Sequence, residues 1–253
     1  MPRFGLFHQR RSISILTDQS GKCHDAYRNA RRSDAHADVR QHCPREHSPA
    51  VFSRHPLGNA LTRSETAMDQ ACAVPFVDRS ENWTKPEELG ALRLWARKAK
   101  VAVEVGTWTG RSAVQIASVL ADGGTLYCVD NFCGDPEERI RDNHFGQFDP
   151  EEVVSEWRKR IEPYGERVVL IRAKSINAAA SFKAAIDFLF IDGCHHYEAV
   201  MADLRAWVPL VRDGGTVCGH DYWPENKSVM HAVDEFFRGR NVTIGPGCLW
   251  RMG

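Results

Sequence analysis

VAVEVGTWTGRSAVQIASVLADGGTLYCVD, residues 101–130, holds two short apolar runs, VAVEV at 101–105 and TLYCVD at 125–130, on either side of RSAVQIASVLA at 111–121. The outer runs are dense in β-branched and apolar residues, and the middle one repeats its apolar positions at helical spacing. The stretch therefore predicts strand, helix, strand. The same alternation continues downstream. It predicts a helix over 150–161 (PEEVVSEWRKRI), a strand over 167–173 (RVVLIRA), a short helix near 175–183 and a strand over 186–192 (IDFLFID). A helix over 196–211, a strand over 215–221 (GTVCGHD) and a helix over 227–237 follow, with NVTI and CLWRM closing the chain. Upstream, Thr84-Lys85-Pro86-Glu87 reads as a capping box with proline in the first turn of a lead-in helix carrying Leu89, Leu92, Trp95 and Ala96. Apolar strands alternating with amphipathic helices are covered on both faces. The expected fold is α/β, a doubly wound, mostly parallel seven-stranded sheet.

Length and charge set the wider frame. The chain has 253 residues, 33 basic and 33 acidic side chains and 43% hydrophobic content, enough for one domain plus extra segments. Its apolar runs fall far short of the ~20 residues of a membrane helix. Residues 1–67 hold 11 Lys and Arg against 6 Asp and Glu, contain no Trp and show no sustained period. They are expected to be a disordered or non-native extension, with a targeting role, a start at Met68 and a real accessory arm left open. Residues 68–99 are then a lead-in segment and helix, and residues 100–253 the folded domain. That domain is mildly acidic, which argues against a nucleic-acid partner. The eight cysteines form no CxxC pair, and Cys128 and Cys218 sit in apolar runs, so a reducing, cytoplasmic setting is expected. Self-association into a homodimer stays open.

In a doubly wound sheet ligands bind beyond the carboxyl ends of the strands, so the strand ends carry the functional reading. After the first strand comes Glu104-Val105-Gly106-Thr107-Trp108-Thr109-Gly110-Arg111-Ser112, whose glycines allow a tight turn into a helix N-terminus. Its spacing is GxxxG, not the G-x-G-x-x-G of dinucleotide sites. The second strand ends in Asp130, twenty positions after Gly110, where a carboxylate can accept from two ribose hydroxyls. Together they point to a nucleoside with a short charged tail. Asp192 ends one later strand and His220-Asp221 the next, bringing two carboxylates and an imidazole to one rim. Such a set suits a divalent cation; oxygen ligands favour Mg²⁺, and the histidine favours a transition metal. His195, three residues past Asp192, is the preferred general base because an imidazole titrates near pH ~6.5, with His196 its rival. Asp192, His195 and the His220-Asp221-Tyr222 run can equally be read as helix-start and loop-ordering residues. The long connection through Asn131, Phe132, His144, Phe145 and Phe148, together with Trp223, is a candidate cover for a second substrate.

The segments EVGTWTGRS, LYCVD, DFLFIDGCHHYEAVMADL and DGGTVCGHDY together resemble the class I S-adenosylmethionine-dependent methyltransferases, and more narrowly their small-molecule O-methyltransferase branch. The resemblance covers roughly residues 100–222 and implies the Rossmann-like methyltransferase fold. It implies that Glu104, Gly106, Thr107 and Gly110 surround the methionine moiety, that Asp130 holds the ribose, and that Lys174 and Ser175 flank the adenine. It further implies that Asp192, His220 and Asp221 hold a divalent metal, with histidine standing where the branch has an acidic or amide residue. Transfer of a methyl group to a hydroxyl of a small molecule, with metal help and with His195 and Asp192 at the reacting centre, is the function expected. A nicotinamide-dependent oxidoreductase and a non-catalytic nucleoside-binding module are the alternatives.

Overall fold

The computed structural model describes residues 80, 83–134 and 149–253, and the backbone of residues 14–17. The sheet strands are β1 (Ser14–Thr17), β2 (Val101–Val105), β3 (Thr125–Val129), β4 (Val168–Arg172), β5 (Ile186–Ile191), β6 (Val211–Gly219), β7 (Val242–Ile244) and β8 (Trp250–Met252). Their order is β1-β4-β3-β2-β5-β6-β8-β7. Pairings from β1 through β6 are parallel, and β8 runs antiparallel to both β6 and β7. The helices are α1 (Pro86–Trp95), α2 (Arg111–Ala117), α3 (Pro150–Ile161), α4 (Ser175–Ser181), α5 (Tyr197–Trp207) and α6 (Lys227–Phe236). The seven strands from β2 onward are those the sequence predicts. The eighth, β1, adds a parallel edge beside β4, with Ser14 opposite Val169, inside a segment where the sequence predicts no strand. Four residues carry too little periodic signal to announce themselves. The remaining expectations for residues 1–67, and those for His144, Phe145 and Phe148, lie outside the described residues.

Alternation along the strands builds two apolar layers. Ala102, Leu126, Cys128, Leu170, Phe188, Phe190 and Cys218 face Leu92, Ile116, Val153 and Trp157 on one side. Val103, Val105, Val129, Leu189, Ile191 and Val217 face Val200, Leu204, Trp207, Val229 and Val233 on the other. Each fully buried side chain of this size stabilises by roughly 1.5–3 kcal/mol, so both layers are needed to hold the sheet between its helices.

Two boundaries differ from expectation. The helix expected over 196–211 stops at Trp207 and gives way to a 3-10 turn at Val208–Leu210, where Pro209 lacks the N–H an α-helix would use. The freed residues extend β6 back to Val211, with a bulge against β5 between Ile186 and Phe188. The capping box of α1 also sits one residue later than the sequence suggests. Lys85 is the N-cap, and its N–H donates to Glu88 Oε2 at 2.6 Å.

Neighbours β3 and β4 lie on one side of β2, and β5 and β6 on the other. The chain therefore reverses its winding between β2 and β5, and the crevice outside their carboxyl ends is the natural ligand position. No helix among the described residues is long and apolar enough to cross a membrane.

Candidate functional site

Gly106 follows β2 directly and has φ +83°. A Cβ there would lie 2.1 Å from the carbonyl oxygen of Asp192 and 2.7 Å from Gly193 Cα, so the turn after β2 touches the backbone after β5. Gly110, φ +84°, caps α2, and a Cβ on it would come within 3.0 Å of the Trp157 ring. Between them, Thr107 is buried and its Oγ1 accepts from Trp157 Nε1 at 3.0 Å. Three of the four non-glycine residues with positive φ among the described residues are Trp108 (46°), Phe132 (58°) and Asp221 (59°). They sit just past β2, β3 and β6, so backbone strain gathers on the carboxyl rim, where it commonly marks function.

Asp130 is fixed by this turn. Its Oδ2 accepts from the Thr107 and Trp108 amides, each at 3.0 Å, and its Oδ1 accepts from the Phe132 amide at 2.8 Å. Burial pushes its pKa up, and the three amides oppose that. A carboxylate offers roughly four acceptor positions, so one is left for a ribose hydroxyl. Glu104 lies below the turn with no exposure. Cys128 Sγ donates to its Oε2 at 3.5 Å, and Oε1 is buried without a hydrogen-bond partner. Burial raises its pKa to about 7, against hydrogen bonds from Ser112 and Thr107.

The residues predicted for the adenine stand at the start of α4. Lys174 is the N-cap of α4. The Ser175 hydroxyl accepts from Trp207 Nε1 at 2.8 Å, which ties it to α5. A local reading of the strand end could not show that partner.

At the ends of β5 and β6, Asp192, His195 and Asp221 converge, with one ligand atom of each within 4.8 Å of the others. His195 Nε2 lies 3.0 Å from Asp221 Oδ2. His196 instead forms the N-cap of α5, so the structure separates the two rival histidines. His220 lies beside this group and also reaches a second one. Its Nδ1 lies 3.1 Å from Asp221 Oδ2 and 3.6 Å from Asp192 Oδ1, and its Nε2 lies 3.3 Å from Glu88 Oε1. Carboxylates lie beside both ring nitrogens, an arrangement that suits an imidazolium as long as no cation is bound. Burial would lower the pKa of His220, but the Asp192 charge and the bonds to Asp221, Cys248 and Glu88 drive it far above the imidazole range. Burial likewise raises Asp192, with Asp221 adding to the shift and His220 opposing it. Asp221 moves the other way: burial is outweighed by hydrogen bonds from His195 and His220. Trp223 is 45% exposed just beyond this rim.

Glu88 and Cys248 are the residues that sequence reasoning misses. Glu88 looks like an ordinary acidic first-turn residue of α1, and Cys248 sits in a short tail. Only tertiary contact joins them.

Comparison with known proteins finds a matching domain family and proteins of similar fold. Residues 103–222 match the model of a family described as a methyltransferase domain. The uncharacterized protein y4gI of Sinorhizobium fredii (strain NBRC 101917 / NGR234) is 25% identical over 194 residues, covering 67% of this chain and 20% of that protein. The chain thus spans about a fifth of the length of that curated relative. Among solved structures, cofactor-bound Rv0187 from MTB superposes with a TM-score of 0.50 at 14% identity, over 67% of this chain and 80% of its own. The O-methyltransferase from Bacillus cereus in complex with SAH gives a TM-score of 0.47 at 16% identity, over 67% and 81%. The domain match runs from β2 to the end of β6 with the switch-point crevice at its centre, so residues 103–222 resemble a methyltransferase domain.

Proposed function

We propose that the protein transfers the methyl group of S-adenosylmethionine to a hydroxyl of a small molecule, with His195 as the general base. The observation that carries the reading is the pairing of the Gly106 turn with Asp130 at the switch point, beside the His195–Asp221 contact of 3.0 Å. The residues fit the cofactor. Asp130 keeps an acceptor position for the ribose, Gly106 and Gly110 let the backbone approach the tail, and the unpartnered Glu104 Oε1 suits an ammonium group. When bound, S-adenosylmethionine supplies a methyl on an electron-poor sulfonium, which needs alignment more than activation.

The protein then has to hold and deprotonate the acceptor. Asp221 accepts from His195 Nε2–H, which fixes the tautomer and makes Nδ1 the nitrogen that takes the hydroxyl proton. The carboxylate also stabilises the imidazolium that results. Asp192, whose backbone N–H donates a hydrogen bond to Val105 O at 2.8 Å, stands between this dyad and Gly106 and positions the acceptor. A second reading rests on the Asp192, His195 and Asp221 ligand atoms within 4.8 Å of one another: the three would hold a divalent cation that lowers the acceptor hydroxyl's pKa. His195 cannot be metal ligand and base through the same lone pair, so activity after thorough chelation decides between the two.

Calorimetry with S-adenosylhomocysteine tests the cofactor. Saturable binding at one site per chain is expected, weakened at least about 10-fold in Asp130→Asn, which retains one acceptor oxygen for the turn amides. No binding to well-folded protein removes the proposal. The base is tested with labelled S-adenosylmethionine and a panel of hydroxylated small molecules. His195→Gln should lower kcat by about 10²–10⁴ while S-adenosylhomocysteine affinity stays within about 2-fold. An unchanged kcat would place the base elsewhere.

A further inference from the structure

Glu88, His220 and Cys248 come from three distant parts of the chain: the first turn of α1, the end of β6 and the approach to β8. Their functional atoms nevertheless meet at one point. Glu88 Oε1 lies 3.3 Å from His220 Nε2 and 3.3 Å from Cys248 Sγ, and Cys248 Sγ lies 3.3 Å from His220 Nε2. Three donors on an equilateral triangle of this size match one face of a small tetrahedron. With metal bonds of about 2.0–2.3 Å, tetrahedral angles separate O, N and S donors by about 3.3–3.6 Å.

The surroundings resemble a prepared site. His220 Nδ1 lies 3.1 Å from Asp221 Oδ2, the outer carboxylate that orients a metal-binding imidazole and leaves Nε2 for the metal. Glu88 is oriented by two backbone amides, Lys85 N on Oε2 at 2.6 Å and Cys248 N on Oε1 at 2.9 Å. Gly247, φ +62°, makes room for it: a Cβ there would fall 2.0 Å from Glu88 Oε1. Glu88 is 1% and His220 7% exposed, and Cys248 is half-buried, which leaves one side of the triangle approachable from outside.

We propose that Glu88, His220 and Cys248 bind one borderline-soft divalent metal ion, of which Zn²⁺ is the type. The site adjoins the Asp192–His195–Asp221 rim through His220 but shares no ligand with it. One thiolate, one imidazole and one carboxylate form a donor set that selects such an ion over Mg²⁺, which takes oxygen ligands. Binding displaces the Cys248 thiol proton and any proton on His220 Nε2, and a water completes the tetrahedron. The ion would fasten α1 and the β7–β8 hairpin to the sheet end that carries Asp221. It would also hold His220 neutral, with Nδ1–H donating to Asp221.

Metal-stripped full-length protein titrated with Co²⁺, then competed with Zn²⁺, tests this without any need for methyl transfer. One equivalent of Co²⁺ should produce a thiolate-to-metal charge-transfer band together with the intense visible bands of a four-coordinate ion. Zn²⁺ should abolish both. Affinity should drop at least about 100-fold in Cys248→Ala and in Glu88→Gln. Absence of the thiolate band, its survival in Cys248→Ala, or undiminished affinity in Glu88→Gln overturns the proposal. Should either ligand variant fail to fold, alkylation of Cys248 in the native chain, followed by peptide mass spectrometry, gives the answer. One equivalent of Zn²⁺ should slow it at least about 10-fold, and equal rates with and without Zn²⁺ overturn the site.

Discussion

Gly106→Ala is expected to unfold with a midpoint at least about 4 °C below that of the parent protein. The added Cβ would stand 2.1 Å from Asp192 O, 2.6 Å from Asp192 C and 2.7 Å from Gly193 Cα, and all three are backbone atoms. Neither side can yield. Gly106 N–H is bonded to Val129 O at 2.9 Å, and Asp192 N–H to Val105 O at 2.8 Å, so moving either strand end breaks a sheet hydrogen bond. The left-handed φ of +83° adds about 1–2 kcal/mol for any L side chain. Overpacking against fixed backbone adds about 1–3 kcal/mol more. In a chain of this size each kcal/mol lowers the midpoint by about 2–4 °C. Thermal denaturation followed by circular dichroism reads this directly. A variant that melts within about 2 °C of the parent would show that the β2 and β5 ends do not touch as described.

Glu104→Gln should act in the opposite direction, and only at higher pH. Burial raises the folded-state pKa of Glu104 to about 7, above its unfolded value. A carboxyl shifted this way stabilises the fold fully below the unfolded pKa, and that stabilisation is lost as pH rises through about 7. Every tenfold difference in proton affinity between the folded and unfolded chain is worth ~1.4 kcal/mol, so the loss is on the order of 3 kcal/mol by pH ~8. Glutamine has nearly the same shape, does not titrate, and can still meet the Ser112 and Thr107 hydroxyls. The variant should therefore match the parent near pH ~5 and exceed it by several degrees near pH ~8. Melting curves across that range test the point, and parallel pH dependence of the two proteins would defeat it. If Glu104 Oε1 receives the ammonium of the cofactor, the same variant should bind S-adenosylhomocysteine more weakly while being more stable. Stabilisation by a binding residue's removal is the pattern of a charge kept buried for its ligand.

Both predictions use residues visible in the sequence, yet neither magnitude is legible there. That Gly106 begins a tight turn follows from its place after VAVEV. That it must be glycine follows from Asp192, 86 positions later, whose carbonyl fills the space of a Cβ. Glu104 reads in the sequence as a polar residue near a strand end, within reach of a ligand. Its lack of exposure and its Cys128 partner arise only when β3 lies beside β2. Asp130 shows a similar division: its distance from Gly110 suggests a ribose acceptor, and the fold adds three amide donors that fix its orientation.

The sequence by itself determined the alternation of strands and helices, the doubly wound class and the positions of Gly106, Gly110, Asp130, Asp192, His195 and Asp221 at strand ends. These follow from periods of two and 3.6 residues and from glycine placement, which are local and survive in one dimension. Tertiary structure alone decided which ends share the rim, that His195 and not His196 reaches Asp221, and that His220 turns to Glu88 and Cys248. Those choices depend on contacts between residues up to 160 positions apart. Each requires the sheet order to be set first, because a side chain's partner is whatever neighbouring strand or helix the packing of the two apolar layers brings within reach.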